Sequence, residues 1–147
     1  MTSKRSGDPW MPAAQYGQSL TGMTVNLLVT SIEDSAQFAQ TVLGADRVYA
    51  DVDFAVLRAC GSEWMLHADH TYDSSAMLGV ARSYEARGSG VELRLHGCDP
   101  DQATAKARAS GYTVLADAMD KPHGLREAII IAPDGYLWVP DIPLQPA

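Results

Sequence analysis

Two segments of the chain follow the same order of predicted elements at nearly the same spacing. Residues 24–44 run as a strand, a helix cap, a helix and a closing glycine, and residues 92–111 repeat that order. The two stretches differ in length by a single residue, and their starts lie 68 residues apart. This offset is too long for a solenoid repeat and indicates two copies of one supersecondary unit. Two such half-sheets set side by side would enclose a cavity.

Local signals define each predicted helix. Ser31 stands at an N-cap position with Asp34 in the first turn, and Gly44 follows the last helical residue. In the second copy Asp99 is the cap and Pro100 occupies the first helical position, where its missing N–H has no intrahelical partner to lose. Three short strands are predicted after each helix. The sequence therefore predicts an α+β fold of two βαβββ modules that form a cup-shaped, mostly antiparallel sheet with helices on the outside.

The expected domain organisation is a single domain with two flanking segments. Trp10, Met11 and Tyr16 lie in a Pro-, Gly- and Ser-rich N-terminal stretch and are expected to pack on the domain or on a second subunit, the alternative being a disordered leader. The predicted parts are an irregular arm at 1–22, one domain at 23–141 (module one 23–68, linker 69–89, module two 90–141) and a tail at 142–147.

Composition and charge exclude several classes of protein. The chain is 46% hydrophobic and 20% charged, as in globular domains, and has no apolar run of the roughly 18 residues that span a bilayer. No apolar stretch comes after Lys4 and Arg5, so a secretory signal is not expected. A net charge of −7 argues against a nucleic-acid partner. Cys60 and Cys98 are predicted to be reduced thiols, which favours a cytoplasmic location.

Three groups of residues resemble the vicinal-oxygen-chelate superfamily, which includes glyoxalase I, bleomycin- and fosfomycin-resistance proteins and extradiol dioxygenases. The resemblance covers about four-fifths of the chain, over residues 23–141. It is strong for the fold, whereas the superfamily hosts several chemistries. The residues that carry it are 31–38 with 42–44, 99–111, and 122–127 leading to 133–136.

The resemblance implies a metal site with four ligand positions, one on an inner strand of each quarter of the cup. The first position is Thr24, the second is Met65 or, with a two-residue shift, His67, the third is Glu92 and the fourth is Val139. Threonine and valine are not ligands for a divalent cation at such sites. We therefore expect no metal cofactor; if a divalent metal is present, Glu92 and His67 would hold it.

Ionisable side chains alternate along the first strand of module two. Glu92, Arg94 and His96 share one face of that strand, and such groups are unfavourable on a sheet face unless they are paired or line a wet cavity. The functional interpretation makes Glu92 and His96 catalytic, as a proton acceptor and a proton shuttle, while Arg94 binds an anionic or carbonyl group. The alternative is a face exposed to solvent.

Other residues are predicted to line the cavity. Arg126, with Lys121 and His123, could form a cationic lip, although Arg126 and Glu127 lie on opposite faces of one strand, so only one can face inward. Trp64 and Trp138 are predicted to be core residues. The predicted ligand-binding residues are Thr24, Asn26, Met65, His67, Arg94, Arg126 and Val139.

The sequence leaves two functions open. The first is a small-molecule-binding protein, similar to bleomycin-resistance proteins, that lacks a complete metal site. The second is a metal-dependent lyase, isomerase or dioxygenase of the same superfamily that uses Glu92 and His67. Either would be a homodimer, because open sheet edges otherwise expose unpaired backbone groups. The pattern does not decide whether the chain is an enzyme.

Overall fold

A computed structural model describes residues 4–82 and 85–145. The predictions for residues 1–3 of the arm, 83–84 of the linker and 146–147 of the tail lie outside these described residues. Short 3₁₀ helices cover Asp69–Tyr72 and Pro133–Gly135. In chain order the helices and strands of the described residues are α1 (Ala13–Ser19), β1 (Asn26–Val29), α2 (Ile32–Leu43), β2 (Asp46–Ala50), β3 (Phe54–Ala59), β4 (Ser62–Ala68), α3 (Ala76–Arg82), β5 (Glu92–His96), α4 (Pro100–Ala109), β6 (Thr113–Asp120), β7 (Leu125–Ile131) and β8 (Leu137–Pro143).

The strands form two four-stranded sheets of the same topology. The first sheet has the order β1-β4-β3-β2 and the second has the order β5-β8-β7-β6. In each sheet the first pair is parallel and the other two are antiparallel. The α+β class, the two βαβββ modules and the mostly antiparallel pairing are confirmed.

The cap signals also have the predicted structure. The Ser31 hydroxyl accepts a hydrogen bond from the Asp34 N–H at 3.2 Å. Gly44 ends α2 with φ 67°, a left-handed conformation that side chains other than glycine rarely adopt. Asp99 accepts hydrogen bonds from two backbone N–H groups at the start of α4. These contacts fix the two helices at the same place in each module.

A single hydrophobic core joins the two modules. Helix α2 packs on the first sheet, α4 packs on the second, and the two helices contact each other. Trp64 and Trp138 meet in this core with ring centroids 4.9 Å apart, which confirms that they are core residues. Phe38 of α2 is fully buried beside Tyr112, so Phe38→Ala would cost about 3–5 kcal/mol.

The opposite face of each sheet points away from this shared core. The first outer face, on β1, β3 and β4, carries Asn26, Phe54, Met65 and His67, which alternate with core residues. The second outer face, on β5, β7 and β8, carries Glu92, Arg94, His96, Glu127, Val139 and Asp141. The sequence predicts that these two faces enclose one cavity. Within this chain the first face belongs to the sheet of module one and the second to the sheet of module two.

The N-terminal arm lies across the first outer face. The Trp10 ring stacks on Tyr49 at 5.3 Å with an interplanar angle of 11°, and Tyr16 meets the edge of Phe54 at 5.6 Å. The arm therefore packs on its own domain, one of the three possibilities open from the sequence, besides packing on a second subunit and a disordered leader. It is not irregular throughout, because it includes α1. None of the helices in the described residues is long and apolar enough to cross a membrane.

Candidate functional site

The arm and the first outer face enclose a cavity of about 490 Å³. This volume lies in the range of small-molecule sites. One wall comes from residues 4–20 and the other from module one and Thr71 of the linker, and none of the lining residues in the described part of the chain belongs to module two. The lining residues are Lys4, Arg5, Pro9, Trp10, Met11, Ala13, Tyr16, Gly17, Leu20, Asp53, Phe54, Met65, His67 and Thr71.

Aromatic rings form a continuous array along this cavity. Trp10 and Tyr16 lie 5.9 Å apart between ring centroids, and Phe54 lies 4.8 Å from the ring of His67. Burial, followed by the charge of Glu63, raises the pKa of Tyr16 to about 12, so its hydroxyl stays protonated. The array presents flat, uncharged surfaces to a bound molecule.

His67 is the polar group at the floor of the cavity, and its ring is held from below. The His67 Nδ1 atom lies 2.5 Å from Asn26 Oδ1, and Asn26 Nδ2 donates to the Tyr72 hydroxyl at 2.8 Å. An amide oxygen only accepts, so Asn26 in this orientation requires the proton of the neutral ring on Nδ1, which leaves the Nε2 lone pair as an acceptor. Burial, followed by the charge of Arg5, lowers the pKa of His67 and favours the neutral ring.

Two carboxylates attach the arm to the sheet. The Arg5 Nε donates to Asp51 at 2.6 Å, and the Arg5 backbone N–H donates to Asp53 at 2.9 Å. The buried His70 ring lies 2.6 Å from the same Asp53 carboxylate. Burial alone would raise the pKa of Asp51, but hydrogen bonds from Arg5 and Tyr49 outweigh it and hold that pKa below its usual value. Charge-assisted bonds of this kind hold the arm against the sheet beside the cavity.

Arg94 is the centre of a charged network on the second outer face. Its guanidinium donates to Glu92 at 2.8 Å and to Glu127, and it lies 3.6 Å from Asp141. The Asp141 side chain is only 1% exposed, and its Oδ2 atom has no hydrogen-bond partner among the described residues, although it lies in ion-pair range of Arg94. Three carboxylates therefore neutralise the arginine that was predicted to bind an anionic group.

Two histidines complete this network. His96 Nδ1 lies 2.8 Å from Asp141, and His123 Nε2 lies 3.1 Å from Glu127. Burial would raise the pKa of Glu127, but hydrogen bonds from Arg94 and His123 outweigh it and lower that pKa. The predicted catalytic residues Glu92 and His96 thus belong to a network of ion pairs, and their catalytic role stays a prediction.

The structure separates the predicted ligand-binding residues. Asn26, Met65 and His67 come together on the first outer face, whereas Arg94 and Val139 lie side by side on the second. Met65 and His67 line the arm-covered cavity, and Asn26 contacts the His67 ring.

Two predicted residues belong to neither group. Thr24 precedes β1 and is exposed. Arg126 lies on the helix side of β7, where it binds Asp101 of α4 at 2.7 Å, so it is Glu127 that faces outward. A cationic lip that includes Arg126 is therefore not formed on the second outer face.

The residues at the implied ligand positions do not suit a metal ion. Met65 offers a thioether, Val139 is aliphatic, and Glu92 is bound to Arg94. His67 and Glu92 lie on the outer faces of different sheets, so they cannot share one ion within this chain. Across residues 4–82 and 85–145, no group of three or more His, Cys, Asp or Glu side chains is placed to hold a metal.

The residues of the candidate site that sequence reasoning missed are in the arm. The sequence predicts that Trp10, Met11 and Tyr16 pack on the domain or a second subunit, but not that they form a wall of the site. It assigns no contact to Arg5. The available signal was the combination of three large apolar residues with a nearby arginine, opposite a strand whose inner positions hold a methionine and a histidine.

Comparisons with known proteins give a consistent picture of the fold. Neither a family model nor a curated protein sequence matches the chain. A glyoxalase/bleomycin resistance protein/dioxygenase family enzyme from Burkholderia phytofirmans PsJN is similar in structure, with a TM-score of 0.66 at 19% identity over 82% of this chain and 97% of that one. A glyoxalase/bleomycin resistance protein/dioxygenase from Nocardioides has a TM-score of 0.62 at 22% identity, over 91% and 94% of the two chains.

A third similar structure is a glyoxalase-related enzyme from Fulvimarina pelagi. Its TM-score is 0.67 at 18% identity, and the match covers 84% of this chain and 88% of that one. Identities this low establish architecture, and a shared architecture does not fix a reaction. The chain has the fold of the glyoxalase, bleomycin resistance and dioxygenase proteins, as its sequence motifs indicate.

Proposed function

We propose that this protein binds a small molecule in the cavity between its N-terminal arm and the first outer face, without a metal ion. The observation that carries the proposal is the cavity itself, whose volume of about 490 Å³ is bounded by aromatic and thioether side chains. Sites for small molecules are concave, mostly apolar and supplied with few polar groups, and this cavity has that character.

The arm supplies a second wall for the cavity, which the sheet of module one does not provide alone. A four-stranded sheet offers one wall, and a ligand on that wall alone would stay largely in water. The arm provides a second wall through Trp10, Met11 and Tyr16, and Arg5 attaches it to Asp51. Burial of ligand surface on both sides is the principal source of affinity for such a molecule.

A glycine in the cavity wall provides the experiment. Gly17 lies in α1, lines the cavity, and has open space where a side chain would project. A Gly17→Phe variant should fill the cavity, whereas Gln18→Phe places the same ring at an exposed neighbouring position outside the lining. A fragment library is screened by ligand-observed NMR against the full-length chain and both variants.

The expected result is that fragments binding the unmodified chain also bind Gln18→Phe and lose at least about tenfold in affinity for Gly17→Phe. A tenfold loss corresponds to removal of about 55 Å² of buried apolar contact between the fragment and the cavity. The proposal is wrong if Gly17→Phe, correctly folded by circular dichroism, binds the same fragments as tightly as the unmodified chain.

We also propose that the protein is a homodimer of the cytoplasm. The supporting observations are the exposed apolar side chains Leu115 and Met119 on the second sheet, and strands β1 and β5 at the edges of their sheets. The free thiols of Cys60 and Cys98 suit a reducing compartment. Light scattering at micromolar concentration should give twice the single-chain mass of 15.8 kDa, and a clean single-chain mass would refute the dimer.

A further inference from the structure

We propose that the arm-covered cavity selects flat aromatic molecules that carry a hydrogen-bond donor of the phenol class, with His67 Nε2 as the acceptor. This inference rests on the proposed function, because it names the chemistry of the molecule that the same cavity would hold. Its support comes from three features of the lining: the aromatic rings, the two thioethers and the fixed orientation of the histidine.

The shape of the walls favours a flat ligand. Trp10 and Tyr16 belong to the arm and Phe54 to the opposite sheet, so aromatic surfaces face the cavity from both sides. The second face of Trp10 is already occupied by Tyr49, which stacks on it at 11° and fixes its plane. Pre-oriented rings reward a ligand that stacks or meets them edge to face, by about two- to tenfold in affinity per ring pair.

The thioethers favour an aromatic ligand over an aliphatic one. Met11 comes from the arm and Met65 from the centre of β4, and both line the cavity. Sulfur makes favourable contacts with ring edges, and the unbranched side chain adapts to irregular shapes. Met65 stands opposite Asn26 in the strand register, directly beside the histidine.

The acceptor nitrogen of His67 on the cavity floor favours a ligand with a hydrogen-bond donor. Asn26 Oδ1 takes the proton of His67 Nδ1 and leaves Nε2 as an acceptor. Asn26 is in turn held by Tyr72, so it acts as a positioning residue for the imidazole. A phenolic O–H directed at Nε2 would satisfy a ring nitrogen that an apolar ligand leaves without a partner.

The other polar side chains of the lining are committed elsewhere. Asp53 binds Arg5 and His70, and the Thr71 hydroxyl donates to the Ala68 carbonyl at 2.7 Å. Lys4 is exposed to solvent, where a charge on the ligand would gain little. The lining therefore distinguishes a neutral donor from a carboxylate, and His67 makes that distinction.

Matched naphthalene derivatives test this inference on the full-length chain. Isothermal titration measures the affinity for 2-naphthol, for 2-methoxynaphthalene, which lacks the O–H, and for 2-naphthoate, which replaces it with a carboxylate. The same titrations are made with His67→Phe, which keeps an aromatic ring without an acceptor, and with His67→Gln, which keeps an acceptor oxygen. Thermal unfolding shows whether each variant is folded.

The unmodified chain should bind 2-naphthol about five- to tenfold more tightly than 2-methoxynaphthalene, the worth of one hydrogen bond to a buried acceptor. His67→Phe should abolish this preference while it still binds the ether, and His67→Gln should retain part of it. The Gln variant keeps the test decisive if the Phe variant does not fold.

Three outcomes would overturn the inference. Retention of the full preference in His67→Phe would show that another group accepts the O–H. Tighter binding of 2-naphthoate than of 2-naphthol would identify an anion site instead. Failure of all three naphthalenes to bind would exclude flat aromatic ligands, while fragments that are sensitive to Gly17→Phe would leave the cavity itself established as a binding site.

Discussion

The two outer faces come from equivalent strands of a duplicated module, yet they differ in that the N-terminal arm lies across the first, whereas a network of charged side chains occupies the second. On the first face Asn26 stands opposite Met65, with His67 two residues further along β4. The second face has charged groups in the corresponding register. The helix-facing sides of both sheets carry apolar residues that belong to the shared core. The two modules therefore keep the same core while their outer faces differ.

The two outer faces also differ in how their polar side chains are paired. Arg94 occupies the register position of Asn26, and Asp141 occupies that of His67. In module two Arg94 forms ion pairs with Glu92, Glu127 and Asp141, so its guanidinium is already neutralised by carboxylates of the protein. In module one the neutral Asn26–His67 pair leaves an acceptor, and the arm covers it.

The largest expected effect is the loss of stability when the second face loses its cation. Arg94→Met would leave the Glu127 and Asp141 carboxylates buried without their guanidinium, which should cost about 3 kcal/mol in the free energy of unfolding. Arg108→Met breaks an exposed pair with Asp117 and should cost less than about 1 kcal/mol. Urea unfolding measures both free energies. Equal losses in the two variants would show that the Arg94 network contributes no more to stability than an exposed ion pair does.

The arm should detach more readily when its anchor is removed. Arg5→Ala removes charge-assisted bonds to Asp51 and should raise the rate of chymotryptic cleavage after Trp10 or Tyr16 roughly tenfold. Arg47→Ala removes a comparable bond to Glu33 away from the arm and serves as the control. Unchanged cleavage in Arg5→Ala would mean that the aromatic contacts alone hold the arm.

The two faces should respond to acid in different ranges of pH. Burial lowers the pKa of His67, so the unfolded chain takes up a proton below about pH 6.5 before the folded one does, and stability is lost as the pH falls through that range. The lowered pKa of Glu127 adds stability above about pH 4.3, which is lost as the pH falls further.

Difference curves separate these two contributions. The free energy of unfolding of His67→Gln should lack the part of the slope below about pH 6.5, and Glu127→Gln should lack only the part below about pH 4.3. Urea titrations at several pH values supply the curves. A His67→Gln slope identical to that of the unmodified chain would contradict the assignment of a buried neutral imidazole.

Metal removal should have the smallest effect. Protein purified without a His-tag should carry less than one equivalent of divalent metal by elemental analysis, and a chelator should leave its melting temperature unchanged within about 1 °C. A stoichiometric ion whose removal lowers the melting temperature would revive the metal-dependent alternative. In that case Glu92→Gln would show whether Glu92 holds the ion.

Much of the fold could be predicted because its signals are local. Ser31, Gly44, Asp99 and Pro100 mark the helix ends through backbone hydrogen bonding and allowed dihedral angles that depend on neighbouring residues alone. Strand alternation likewise assigned Trp64 to the core. The strands predicted after α4 were short, whereas β6 extends over Thr113–Asp120. Its second half alternates small and acidic residues, which are poor β-formers.

The site was harder to predict because it is made by distant segments. Strand parity grouped Asn26 with Met65, but nothing local indicated that residues 4–20 would cover them. Arg94 was expected to face a ligand because its partners Glu127 and Asp141 are remote in sequence and their pairing is tertiary. Arg126 was counted among the ligand-binding residues because the sequence does not specify the geometry of the loop before β7. That loop decides which side chains of β7 face the helix, and Arg126 is one of them.

A ¹⁵N NMR titration of the full-length chain with 2-naphthol tests whether the arm-covered face holds the ligand. We predict shifts at the Trp10 indole and at the amides of Phe54, Met65 and His67, with those of residues 92–96 and 137–141 unchanged. Shifts confined to residues 92–96 and 137–141, or no shift at the arm, would contradict a binding site between the arm and the first outer face.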